Sequence, residues 1–115
     1  MKVALLPLLS VLLTACGESA PSADCPDDQQ LGCPASALTY DTGIGALLTE
    51  RCSPCHAAGG VEATRLLTDY AHASGLRMSI GSQLVTCSMP PPGEPPLSLA
   101  ERQQILDWLT CGGPR

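Results

Sequence analysis

The sequence predicts an all-α fold of three to five helices, on three observations. Apolar residues recur at spacings of three and four along stretches between Asp41 and Cys111, the period of one helix face. β-branched residues are few outside the first 15 positions. The last stretch opens on Ser98-x-x-Glu101, a capping-box pattern, and closes on Gly112-Gly113-Pro114, a stop signal.

The elements follow in chain order. Residues 1–15 read as a targeting leader. Lys2 is a short positive region, and Val3 to Leu13 is apolar but too short to span a bilayer as a helix. Leu13-Thr14-Ala15-Cys16 resembles the lipobox of bacterial lipoproteins. That resemblance implies cleavage before Cys16 and acylation of its thiol, and more than one acyl chain anchors stably. Gly17 rather than Asp follows, which in the Gram-negative sorting pattern implies the outer membrane. The competing reading is an ordinary secretory peptide with a stray cysteine. Residues 16–39 are rich in Ser, Pro, Asp and Gln without helical periodicity, so they read as a tether with loop character.

Residues 40–115 read as the folded part. Asp41 to Arg51 is a predicted helix on Ile44, Leu47 and Leu48. Gly43 and Gly45 weaken it; either another helix crosses closely there or the first turn frays. The helix runs into Cys52-Ser53-Pro54-Cys55-His56, a C-x-x-C-H, the pattern that attaches a c-type haem. Cys52 and Cys55 can add to the two vinyl groups of one haem as thioethers. His56 then falls under the iron as proximal ligand. Its second ring nitrogen is expected to donate to a carbonyl, which fixes the tautomer. A thiol redox pair would want a βαβ context, and a structural zinc site would want four N or S ligands.

Ala57 to Gly60 reads as loop. Glu62 to Ala73 is expected to be a helix on Leu66, Leu67 and Tyr70, and Leu76 to Val85 another on Leu76, Ile80 and Leu84. Tyr70 reads as core and Arg77 as exposed, each with a haem propionate as the alternative partner. Cys87-Ser88-Met89-Pro90-Pro91-Pro92 is a segment that prolines stiffen without secondary structure. Such a segment can hold a thioether against a metal. Ser98 to Cys111 is the strongest helix, with Ile105, Leu106, Trp108 and Leu109 on its apolar face.

Seven cysteines are present. Lipid takes Cys16 and haem takes Cys52 and Cys55, which leaves four for two bridges. Cys25–Cys33 and Cys87–Cys111 are the preferred pairs, although four cysteines allow three connectivities. In the alternatives Cys25 or Cys33 pairs with Cys87 or Cys111.

Composition bounds the function. The formal charge is −5, and removing Lys2 with the leader leaves five arginines against 11 acids, a net −6. This argues against nucleic acid, which rewards basic patches. With no Phe, one Trp and two Tyr, so small a chain is expected to struggle to build a core alone. A haem plate would supply it.

Residues 40 to 113 resemble a short class I-type cytochrome c domain. The helix into Cys52-x-x-Cys55-His56, the Met89-Pro90-Pro91 loop and the terminal helix through Trp108 carry the resemblance. It implies crossing first and last helices, one haem c, His56 as proximal and Met89 as distal iron ligand, and trimmed loops on the propionate side. Met78, His72 or an open sixth position are the alternatives to Met89. The expected function is single-electron transfer, not enzymatic catalysis, between redox protein donor and acceptor. These would dock weakly and transiently, with the carrier lipid-anchored to the bacterial cell envelope on the periplasmic face of the outer membrane. A haem-based small-ligand sensor and a cofactor-free disulfide-rich binding module are the rivals.

Overall fold

The computed structural model describes residues 25–115; the expected leader and the lipidation site Cys16 lie outside these. The described residues are helical with no strand, in the order α1 (Gly45–Arg51), α2 (Tyr70–Gly75), α3 (Arg77–Val85) and α4 (Leu99–Thr110). The all-α expectation holds. Among the described residues no helix is long and apolar enough to cross a membrane.

A π-helical turn, Tyr40–Ile44, leads into α1, and Thr39 caps it through a reciprocal pair with Thr42. A Cβ at Gly43 and at Gly45 would meet the Leu38 and Tyr40 side chains, each at 2.8 Å. Ile44 and Leu48, one helical turn apart, are fully buried. They join Ile105, Leu106 and Trp108 from α4 and Leu84 from α3 in one core.

The predicted helix from Glu62 to Ala73 is shorter and later than expected. Residues 61–69 are turns and bends, and Asp69 caps α2, its side chain accepting from the His72 amide. The Glu62 amide ties the start of the segment to the Cys55 carbonyl, and the Leu67 amide, which such a helix would direct to Ala63 O, is committed instead to the His56 carbonyl, both at 2.9 Å. A residue so engaged cannot also join an i to i−4 ladder.

α4 follows the sequence closely. Ser98 accepts from the Glu101 amide while the Glu101 carboxylate accepts from the Ser98 amide. At its far end Gly112 N–H reaches Leu109 O and Gly113 N–H reaches Trp108 O. Both glycines have positive φ, and the pattern is a Schellman motif. The chain then folds back. Pro114 O accepts from Trp108 Nε1 at 2.8 Å and from Tyr40 N at 3.0 Å. Tyr40 meets Tyr70 edge-on at 5.4 Å and Trp108 at 6.3 Å, so all the aromatic residues of the chain form one cluster.

The cysteine pairing corrects the preferred one. Cys25 bonds to Cys87 and Cys33 to Cys111, so the bridges do not close two local loops. Residues 25–39 are therefore a strap bound across α3 and α4 rather than a free tether. Gln29 Nε2 donates to Val85 O at 3.1 Å and Gln103 Nε2 to Gln30 O at 2.8 Å. Thr110 also donates to the Gly32 carbonyl. Local spacing favoured short loops, but the strap's polar contacts bring Cys25 to the end of α3 and Cys33 to the end of α4.

Candidate functional site

The site begins where α1 ends. Cys52 and Ser53 both donate their amides to Leu48 O, at 2.9 and 3.1 Å. Cys55 and His56 then both donate to Cys52 O, at 3.2 and 2.9 Å. The five residues from Cys52 to His56 thus form a single closed turn. The return segment is laced to it through the Glu62 and Leu67 amides. Gly60 lies so close that a Cβ there would collide with the Cys55 carbonyl.

This turn borders a cleft of about 220 Å³. Leu48, Leu76, Ile80, Leu84 and Ile105 supply its apolar wall, and Arg65, Ser79 and Gln83 its polar part. Cys52, His56 and Met89 also line it. The structure thus brings three of the four sequence-selected residues to one cavity. Cys55 shares the turn, half-buried, but is not among the lining residues.

His56 Nδ1 lies 2.9 Å from the Arg65 carbonyl oxygen. A carbonyl only accepts, so Nδ1 carries a proton, and in the neutral ring Nε2 keeps its lone pair. This is the tautomer of a metal-ligating imidazole whose other nitrogen is anchored. Burial pushes the Cys52 thiol up to about 11, only partly offset by the Arg51 charge. A redox-active dithiol has the reverse arrangement, with a lowered thiol pKa. Among the described residues no three His, Cys, Asp or Glu cluster as metal ligands, and the four other cysteines there are consumed in disulfides.

The alternatives to Met89 sit elsewhere. His72 is exposed and donates Nδ1 to Asp69 Oδ2 at 2.6 Å. Met78 is 81% exposed. Tyr70 gives its hydroxyl to Gly113 O at 3.1 Å, in keeping with a core role, and Arg77 is exposed and outside the cleft.

Several contributors were not visible in the sequence reading. Arg65 acts through its carbonyl, which no side-chain motif reports. Gln83 O accepts from both Ser88 N and Met89 N, at 2.9 and 3.3 Å, and so ties the Met89 segment to α3. Arg102 is buried and donates to Leu84 O at 2.7 Å. Arg51 Nη2 donates to Pro96 O at 2.6 Å and its Nε pairs with Glu101 at 3.4 Å. Two arginines inside otherwise apolar helix patterns were the available signal for these last contacts.

Comparison with protein-family models, with curated proteins and with solved structures gave no match. The functional reading therefore rests on this chain's own residues. A haem c suits them on donor chemistry. Two thiols and an imidazole share one turn, the imidazole is already in the ligating tautomer, and a thioether lines the same apolar cleft.

Proposed function

We propose that this chain is a monohaem c-type cytochrome domain that passes single electrons between redox partners outside the cytoplasm. The observation that carries the reading is the shared cleft: Cys52, His56 and Met89 line it together, and His56 Nδ1 is bound to the Arg65 carbonyl. Cys52 and Cys55 would hold the porphyrin as thioethers, and His56 and Met89 would ligate its iron. Bound there, the iron supplies one-electron exchange between ferric and ferrous states, and a His/Met pair raises its potential.

The chain's own residues do the rest. The Arg65 carbonyl orients the imidazole and increases its basicity as a ligand. Leu48, Leu76, Ile80, Leu84 and Ile105 exclude water from the cleft. Two protein ligands on the iron would favour electron transfer over chemistry at an open site. Weak redox encounters would occur where the edge of the bound haem meets solvent. Cys16 as a lipid anchor on the periplasmic face of the outer membrane completes the proposal.

An absorption spectrum of oxidised and reduced protein, made in a haem-attaching host, tests the reading. The expected result is a low-spin spectrum whose denatured pyridine derivative reports two thioether links. A spectrum without haem bands overturns it. In the same host Cys55→Ala should leave haem on one bond or lose it.

A further inference from the structure

We propose that the Cys25–Cys87 disulfide is a positioning device for Met89, and that the Cys33–Cys111 disulfide is not. The proposal rests on the reading of Met89 as an iron ligand. Cys87 lies two residues before Met89, just beyond α3. Its φ of 53° places it in the left-handed region as the C′ residue of α3, where Cys87 N–H to Leu84 O at 3.1 Å and Ser88 N–H to Gln83 O at 2.9 Å close a Schellman motif that usually takes glycine at this position. The surroundings here are specific. Cys25 holds the side chain through the disulfide, and Gln29 from the same strap donates to Val85 O at 3.1 Å. Thr86 Oγ1 bonds back to Ser82 O at 2.9 Å. Beyond the kink, Ser88 and Met89 give their amides to Gln83 O. Without the bridge only these backbone hydrogen bonds hold a residue with a Cβ at that φ, so Cys87 relaxes more readily to an ordinary φ, and such a rotation swings the backbone that carries Met89.

The second bridge has a different setting. Cys111 caps α4 beside Gly112 and Gly113, which already end that helix. None of the four bridged cysteines lines the cleft, but Cys87 adjoins the Met89 segment whereas Cys111 lies at the far end of α4. Loss of the second bridge should loosen the fold without moving Met89, so the molecule carries its own control.

The test compares two double variants, Cys25→Ser/Cys87→Ser and Cys33→Ser/Cys111→Ser, with the unsubstituted holoprotein. The readouts are the red-end charge-transfer band of a thioether-bound ferric haem and the affinity for added imidazole. The first variant should lose the band and bind imidazole about tenfold more tightly, because imidazole no longer competes with a held thioether. The second should keep both properties and melt at a lower temperature. An unchanged band and affinity in the first variant, or equal losses in both, overturns the proposal. Should the first variant fail to mature, Gln29→Ala takes its place. It loosens the same strap without touching a cysteine and should tighten imidazole binding about twofold to threefold; no change contradicts the proposal. Absence of covalent haem from the unsubstituted chain overturns the underlying reading as well, a different result from haem present with Met89 unaffected.

Discussion

Arg65 serves the candidate site with its backbone while its guanidinium pairs with Glu62 at 2.8 Å. Replacing the side chain should therefore matter less than moving the peptide. Gly60 provides that second kind of change. Its missing Cβ is the space filled by the Cys55 carbonyl, so Gly60→Ala should lower stability by about 1–3 kcal/mol, the usual cost of overpacking. It should also reduce haem incorporation, as read by the ratio of haem absorbance to protein. His56→Ala should abolish the low-spin spectrum, whereas His72→Ala, at an exposed residue paired with Asp69, should leave it intact. Met89→Ala should lower the reduction potential and open the iron to carbon monoxide; an unchanged charge-transfer band would remove Met89 from the ligand set. The chemistry of these residues was legible from Cys52-x-x-Cys55-His56 and Met89-Pro90. The Arg65 carbonyl and the Gly60 contact were not, because both are backbone relations created by the loop's return path.

The helices divide by where their backbone bonds go. α4 was readable because its start and stop are local, in Ser98, Glu101, Gly112 and Gly113. Ser98→Ala should cost about 1 kcal/mol in chemical denaturation. The cap also sets a pH dependence. The hydrogen bond from the Ser98 amide, followed by that residue's side chain and the Arg51 charge, holds the Glu101 carboxyl below its ordinary 4.5. A lowered folded-state pKa gives stability that is present above the unfolded value and lost as pH falls through the folded one. Stability should thus decline below about pH 4.5, and Glu101→Gln should flatten that acid limb in urea midpoints measured against pH. The expected helix from Glu62 to Ala73 failed for a non-local reason. Leu67 is indeed buried, and Tyr70 joins the aromatic cluster, but their spacing spans a loop laced to the Cys52–His56 turn and the start of α2.

At the scale of the molecule, a chain poor in large side chains is held together by concentrating them and by long covalent closures. Tyr40, Tyr70 and Trp108 form one cluster under the returning C-terminal residues. The two disulfides span 62 and 78 positions. In the entropy model each closure, taken alone, contributes about 4 kcal/mol, against about 2.5 for a closure as short as Cys25 to Cys33. The Cys33→Ser/Cys111→Ser variant should accordingly lose about 2–4 kcal/mol in denaturant titrations. This pairing was not legible because it depends on where a segment without periodicity crosses α3 and α4. The polar contacts that settle the crossing, such as Gln29 with Val85 and Gln103 with Gln30, leave no pattern in sequence.

The central claim is that Cys52 and Cys55 carry a haem. Its most direct test is the mass of the denatured protein after expression with haem-attachment machinery. The account predicts the processed polypeptide plus one haem, with the addition lost when both cysteines are replaced by alanine. A mass equal to the polypeptide alone would contradict it.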